Sequence, residues 1–218
     1  MQMGFGMEGT EDKIVGQVER VAARFEELTY VEIGVGFGGT LSAIASLLKG
    51  SGKRWRAVGI ELPNGYSFNR DQTAGAVDRA GLELDFVTPT NGQLARPAWG
   101  RVTVYFKDSQ SFLTEAWRDP IHLALVDGCH GKPCVILDFL ALEAFTPEGA
   151  VVMFHDFSAE EYGMSQPHCK EGCDVPGACQ ELGLTNRKRQ GWRQLETFTA
   201  DKARGGWDMG VFEKAGAG

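Results

Sequence analysis

Short apolar segments alternate with segments of helical periodicity along most of this chain. These patterns predict strands over residues 29–34, 56–62, 102–106, 121–128 and 149–157, and helices over residues 10–28, 41–49, 70–81, 111–117, 133–145 and 176–182. Strands that are apolar throughout and separated by helices form an open, mostly parallel sheet with helices on both faces. The expected fold is therefore α/β, a Rossmann-like doubly wound sheet in a single domain.

The end of the chain departs from this alternation. Residues 194–200 and 207–214 have the pattern of two strands joined by a short polar turn, which predicts a hairpin with an antiparallel edge. Residues 83–100 hold two prolines and two glycines without a clear period and are predicted to be a loop. The chain divides accordingly into an N-terminal cover, a core, a lid with a helix, and a terminal hairpin, over residues 1–28, 29–157, 158–182 and 192–214.

A glycine-rich segment follows the first predicted strand. Gly34, Gly36 and Gly38 stand at alternate positions before the next helix, where they permit positive φ and let the backbone approach a ligand closely. In a doubly wound sheet the carboxyl end of this strand borders the topological switch point, where ligands bind. Glu61 ends the second strand, and a carboxylate there suits the two hydroxyls of a ribose. The alternative is a plain turn with Glu61 on the surface.

Glu32 decides which nucleoside the glycine loop favours. A carboxylate beside the loop disfavours a pyrophosphate but suits a ligand that carries an ammonium and a sulfonium. The pattern therefore favours S-adenosylmethionine over NAD. Two alternatives stay open, an NAD(P)-dependent oxidoreductase that uses the same glycines and a nucleoside-binding module without catalysis.

A second group of polar residues lies at the ends of the fourth and fifth strands. Asp127 ends the fourth strand, His155 and Asp156 end the fifth, and His130 lies three residues beyond Asp127. A right-handed crossover makes these strands neighbours about 4.8 Å apart, so their carboxyl ends meet at the ligand edge. Such a group can activate a hydroxyl through a divalent metal or through a histidine base.

The motifs resemble those of a known family. The series Glu32-x-Gly34-x-Gly36-x-Gly38 resembles the first motif of the class I S-adenosylmethionine-dependent methyltransferases, and Glu61 matches the ribose acid of that family. Residues 123–157 resemble the small-molecule O-methyltransferases, which include sugar enzymes of macrolide biosynthesis and, more distantly, catechol O-methyltransferases. The resemblance implies the strand order 3-2-1-4-5-7-6, with strand 7 antiparallel.

The resemblance also implies a function. It implies that S-adenosyl-L-methionine is the cofactor and that a hydroxyl of a small molecule, such as a sugar, is the acceptor. Members of this family often form homodimers, so a homodimer is one expected assembly of this chain. The positions that correspond to the family's cofactor site are Glu32, Gly34, Gly36, Gly38, Glu61, Asp108, Ser109, Gln110 and Asp127.

The catalytic centre is carried over from the same relatives. Carboxylates at the ends of strands four and five hold Mg²⁺ in that family, and in the sugar enzymes a histidine just after the first carboxylate is the base. By this correspondence Asp127 and Asp156 are metal ligands and His130 is the catalytic base. His155 stands where metal-dependent relatives often have aspartate, so it joins the predicted metal ligands. A mixed set of this kind suits Mn²⁺ or Fe²⁺ as well as Mg²⁺, or it signals that the metal has been lost.

Composition excludes some partners. The net charge of −7 argues against nucleic acid and anionic membranes as partners. No apolar run approaches the roughly 18 residues that span a bilayer. The N-terminal residues lack the basic and apolar regions of a signal peptide, and none is predicted, so a cytoplasmic location with reduced cysteines is expected. His122 is predicted to be structural, and Asp138 is predicted to lie on the surface of its helix.

Overall fold

The structure is a computed structural model that describes residues 11–63, 68–88, 96–157, 173–198 and 208–216. Its strands are β1 Glu27–Ile33, β2 Arg54–Glu61, β3 Leu84–Val87, β4 Val102–Phe106, β5 Leu123–Val126, β6 Val151–His155, β7 Trp192–Phe198 and β8 Met209–Lys214. Its α-helices are α1 Glu11–Ala22, α2 Gly39–Gly50, α3 Arg70–Arg79, α4 Ser109–Ser111, α5 Lys132–Glu143 and α6 Val175–Glu181. A π-helical turn, Phe112–Ala116, continues from α4.

All eight described strands belong to one sheet, in the order β3-β4-β2-β1-β5-β6-β8-β7. The strands β1 to β6 are mutually parallel, whereas β8 runs antiparallel to both β6 and β7. With β3 set aside, this is the predicted order 3-2-1-4-5-7-6, which is confirmed. Because β1 pairs with β2 on one side and with β5 on the other, the switch point lies at the carboxyl end of β1.

The two faces of the sheet carry separate apolar clusters. Along β1, Tyr30 belongs to the cluster under α1 and α2, and the next residue, Val31, belongs to the cluster under α5 and α6. Successive strand residues point to opposite faces, so a strand covered on both sides is buried at every position and mostly apolar. The burial of β1 at all positions after Glu27 follows from this two-sided cover.

Some element boundaries differ from the prediction. Residues 83–100 were predicted to be a loop, but Leu84–Val87 form the parallel edge strand β3. Its four residues are half-buried and include a charged Asp85, so the segment is too short and too polar to show a strand period. The predicted first helix, 10–28, ends earlier at Ala22. The predicted lid residues 158–172 lie outside the described residues.

One expectation about the cysteines is wrong. Cys129 and Cys134 are joined by a disulfide across the connection from β5 to α5, with their Cα atoms 5.8 Å apart. Cys179 is a buried free cysteine. The odd number of cysteines suggested reduced thiols, but it says nothing about which side chains the fold brings together. None of the described helices has the length and apolar character needed to cross a membrane.

Candidate active site

The glycine loop between β1 and α2 lies against the end of β5. Gly34 has a φ of 86°, and a Cβ at this position would overlap the backbone carbonyl of Asp127. Gly36 has a φ of 53°, and a Cβ there would meet no atom within 4 Å. The first glycine is therefore required by close packing of two strand ends, whereas the second borders open space that a ligand can occupy.

Glu61 is fixed underneath this loop. Its carboxylate accepts hydrogen bonds from the backbone N–H of Val35 at 3.0 Å and of Leu62 at 2.8 Å. Its side chain is buried at the end of β2, so the surface position considered above is excluded. Two backbone donors hold the carboxylate in one orientation, as a group that recognises ligand hydroxyls requires.

A cavity of about 380 Å³ opens beside this carboxylate. Its volume lies in the range of small-molecule sites. Six of the nine predicted cofactor positions line the cavity, namely Gly34, Glu61, Asp108, Ser109, Gln110 and Asp127. Gly36 and Gly38 belong to the loop above it, and Gly38 begins α2 in a left-handed conformation. The predicted positions on four different strand ends thus meet around one cavity.

Glu32 does not line this cavity. It is 1% exposed, and its carboxylate accepts a hydrogen bond of 2.5 Å from the Tyr30 hydroxyl. Burial raises the pKa of Glu32 well above its usual range against the lowering effect of the Tyr30 hydrogen bond, and the charge of Asp127 raises it further. Ile33 lines the cavity, so Glu32, one residue earlier in the strand, points to the opposite face. The carboxylates that line the cavity in its place are those of Glu61 and Asp127, together with Asp108 and Asp138.

The ends of β5 and β6 bring four predicted residues into one cluster. His130 Nδ1 lies 2.7 Å from Asp156 Oδ2, and His130 Nε2 lies 3.2 Å from Asp127 Oδ1. His155 Nδ1 lies 2.8 Å from Asp127 Oδ1 and 3.0 Å from Asp156 Oδ1. We call these four residues the Asp–His cluster. Each histidine bridges the two carboxylates.

The charges in the Asp–His cluster compensate one another. Burial lowers the pKa of His130, but hydrogen bonds with Asp127 and Asp156 more than offset this and raise the pKa to about 10. The same two carboxylates raise the pKa of the buried His155 well above its usual range. Both carboxylates keep lowered pKa values in spite of their burial, because they face the two histidines. Each histidine therefore favours the ionised form of the carboxylates, and each carboxylate favours the protonated form of the histidines.

Asp156 has an unusual backbone. Its φ of 56° lies in the left-handed region, which residues other than glycine adopt rarely and at a cost of about 1 kcal/mol or more. In an extended strand, His155 and Asp156 would point to opposite faces. The left-handed turn instead lets the two side chains contact each other, while Asp156 also reaches His130 and His155 also reaches Asp127. Strain at this position thus assembles the cluster.

The cluster has donors that fit a divalent metal ion. One ligand atom from each of Asp127, His130 and His155 lies within 4.8 Å of the other two. Nitrogen and oxygen ligands bind such ions at about 2.0–2.2 Å, so three donors at this spacing can share one ion. The sequence predicted Asp127, His155 and Asp156 as the metal ligands, whereas this compact group has His130 in place of Asp156. Asp156 contacts both histidines and would orient them from behind.

Asp138 is a cavity residue that the sequence prediction placed on the surface. It is 3% exposed, lines the cavity, and accepts a hydrogen bond of 2.6 Å from the Ser109 hydroxyl. Val135, Asp138 and Leu142 follow one another at helical spacing and are all buried, so the inward stripe of α5 includes Asp138. This helical spacing was the signal in the sequence from which the inward position of Asp138 could have been predicted.

His122 is structural, as predicted. Its Nδ1 accepts a hydrogen bond of 3.0 Å from the backbone N–H of Thr29, and its ring packs against Phe25. Burial lowers the pKa of His122 to about 4. The neutral ring therefore links β1 to the start of β5 and takes no part in the Asp–His cluster.

Comparison with known proteins assigns this arrangement to a family. The family described as "Methyltransferase domain" matches residues 31–157, which span the glycine loop, the cavity and the Asp–His cluster. A comparison with curated proteins found no match.

Solved structures share the fold at low sequence identity. The O-methyltransferase TomG of tomaymycin synthesis from Streptomyces achromogenes, in complex with SAM, has a TM-score of 0.62 at 17% identity, covering 94% of this chain and 80% of that chain. A putative rRNA methylase from Clostridium thermocellum has a TM-score of 0.61 at 13% identity, with both chains fully covered. CalS11, a TDP-rhamnose 3'-O-methyltransferase of calicheamicin biosynthesis, has a TM-score of 0.58 at 14% identity, covering 93% and 77%.

Proposed function

The chain belongs to the methyltransferase domain family, and on that premise we propose that it transfers a methyl group from S-adenosylmethionine to a hydroxyl of a small molecule. The observation that carries this proposal is the cavity in which Glu61, held by the glycine loop, and Asp127, part of the Asp–His cluster, line the same space. One cavity thus combines a proposed nucleoside site with residues that can accept or donate a proton.

The cofactor position follows from the charges around the cavity. Glu61 accepts hydrogen bonds from the ribose hydroxyls, and Asp127 and Glu61 together favour the positively charged methionine end. The base then points towards Asp108, Ser109 and Gln110, which line the other part of the wall. A dinucleotide would bring its pyrophosphate against these carboxylates, which disfavours the oxidoreductase alternative.

Transfer to a hydroxyl needs a group that removes the hydroxyl proton. We propose His130 as this base, with Nε2 as the accepting atom, because its contact of 3.2 Å is the longer of the two that the ring makes with carboxylates. The 2.7 Å contact of Nδ1 with Asp156 holds the ring in place, as the third member of a triad does. His130 must first release its own proton, because both of its ring nitrogens face carboxylates.

Metal assistance is the alternative at the same position. If a divalent ion is bound, Asp127, His130 and His155 would hold it, and it would lower the pKa of the acceptor hydroxyl. His130 is then a ligand and not the base, so the two mechanisms exclude each other for this residue. Asp156 keeps its orienting role in both.

The acceptor is proposed to be a small molecule. The net charge of −7 disfavours RNA, the acceptor class that the description of the Clostridium thermocellum structure names. Both O-methyltransferases among the compared structures belong to the synthesis of small natural products. Sugars, glycosides and catechols therefore form the first panel of acceptors to test.

The experiment measures binding before turnover. Thermal stabilisation by S-adenosylhomocysteine and not by NAD supports the proposal, whereas stabilisation by NAD alone contradicts it. Methyl transfer to the acceptor panel is then followed with and without a chelator, for the wild type, His130→Gln and the surface control Asp78→Asn. A chelator-resistant activity that His130→Gln abolishes assigns the base, and a chelator-sensitive activity assigns the metal. Absence of turnover on every acceptor, with the nucleoside bound, favours the non-catalytic alternative.

A further inference from the structure

Asp138 has a burial that packing alone does not explain. It occupies the inward stripe of α5 between the buried residues Val135 and Leu142, where an apolar side chain would be favourable. Its carboxylate nevertheless borders the cavity beside the segment that follows β4. A buried carboxylate is expensive unless it is hydrogen-bonded, and a position on a cavity wall lets a ligand add to the hydrogen bonds that the protein supplies.

The surroundings of Asp138 leave room for one more donor. The Ser109 hydroxyl donates to Oδ1 at 2.6 Å, and the side-chain amide of Gln110 also interacts with the carboxylate. An ionised carboxylate accepts up to about four hydrogen bonds, so these two donors do not saturate it. Both donors belong to the short segment that lines the same part of the cavity. The matching ligand group is an N–H donor at the edge of a planar ring.

We propose that Asp138 reads the base of the bound nucleoside by accepting a hydrogen bond from the exocyclic amino group of adenine. This inference rests on the proposed function, because it assumes that Glu61 holds the ribose of the same ligand in this cavity. A base with a carbonyl in place of the amino group, such as hypoxanthine, places two acceptors against each other at Asp138. The site therefore selects adenosyl over inosyl cofactors.

The competing explanation is that Asp138 only ties α5 to the segment after β4. Ser109 would then be positioned by Asp138, and any ligand would be affected through the shape of the cavity. This role lowers the affinity for both nucleosides alike. Direct recognition instead changes the ratio of the two affinities, so the ratio distinguishes them.

The experiment uses the full chain and two ligands that differ only at the base, S-adenosylhomocysteine and S-inosylhomocysteine, measured by calorimetry at pH 7.5. We expect the wild type to prefer the adenosyl ligand by about tenfold or more, because a buried polar site rejects a mismatched group strongly. Asp138→Asn keeps the shape and offers an N–H to the inosyl carbonyl, so the preference should fall by about tenfold. Glu61→Gln is the matched control, since it alters the shared ribose contact and should weaken both ligands by the same factor.

A second variant covers the case in which Asp138→Asn disturbs the cavity. Asp138→Ala removes the acceptor without adding a donor, and it should weaken the adenosyl ligand while leaving the inosyl ligand almost unchanged. An adenosyl preference that persists unchanged in both variants overturns the inference and leaves the proposed function standing. A wild-type chain that binds neither nucleoside overturns both.

Discussion

Replacing Asp138 by asparagine should stabilise the protein, and the gain should depend on pH. Burial raises the pKa of the Asp138 carboxyl from 3.8 to about 6, with a smaller contribution from the charge of Asp108 and against the hydrogen bond from Ser109. The folded state therefore binds the proton more tightly than the unfolded chain does. Stability from this group is fully present below pH 4 and is lost as the pH rises through about 6.

The size of the effect follows from the same shift. Each pKa unit corresponds to about 1.4 kcal/mol, so ionised Asp138 lowers the free energy of unfolding by about 3 kcal/mol at pH 7.5. Asparagine stays neutral and keeps an oxygen that accepts from Ser109. The free energy of unfolding of Asp138→Asn minus that of the wild type should thus rise by about 2.5 kcal/mol between pH 4 and pH 7.5, because the rest of the change falls below pH 4.

Urea denaturation at pH 4, 5, 6 and 7.5 measures this difference. Comparing variant with wild type at each pH cancels the titration of the Asp–His cluster, which both proteins share. The control is Asp78→Asn, which alters an exposed carboxylate on α3 and should give a difference near zero throughout. A difference for Asp138→Asn that stays constant across this range would refute the reasoning, because a buried ionised carboxylate must show itself in the pH dependence.

Three further outcomes are expected. Gly34→Ala should destabilise the chain by more than about 1 kcal/mol and abolish nucleoside binding, because a Cβ at this positive φ overlaps the carbonyl of Asp127. The control Gly16→Ala, within α1, should stabilise the chain slightly. Thermal melts compare the stability of the two variants, and calorimetry compares their nucleoside binding. Joint replacement of Cys129 and Cys134 by serine, or reduction of the wild type, should lower the free energy of unfolding by about 2 kcal/mol, and unchanged denaturation curves would contradict the constraint. Glu61→Gln should raise the dissociation constant for S-adenosylhomocysteine about tenfold or more, and a retained affinity would remove Glu61 from the ribose site.

The α/β class of the sheet was readable from local periodicity and general rules of connection, whereas its full strand order came from the resemblance to the methyltransferase family. Apolar strands that alternate with helices must be covered on both faces, and right-handed crossovers then place the ends of β5 and β6 side by side. This reasoning is enough to bring Asp127, His155 and Asp156 together. Periodicity did not predict the edge strand β3, because four half-buried residues are too few to show a strand pattern.

The face on which Glu32 lies shows the limit of such reasoning. Alternation along β1 places Glu32 and Ile33 on opposite faces, but it does not say which face borders the ligand. Only the packing of the helices puts Ile33 at the cavity and Glu32 beside Tyr30. The electrostatic argument for a cationic cofactor survives because Asp127 and Glu61 supply the charge at that place.

The sequence by itself determined the fold class, the glycine loop with Glu61 and the meeting of the strand ends, because each follows from short-range periodicity and chain connectivity. Only the tertiary structure decided that Asp138 meets Ser109 at the cavity wall and that Cys129 bonds to Cys134. The contact of Asp138 with Ser109 depends on how α5 packs against the segment after β4, and the disulfide depends on the path of the loop that enters α5. Such relative placements arise from the summed packing of the whole core and leave no local pattern along the chain.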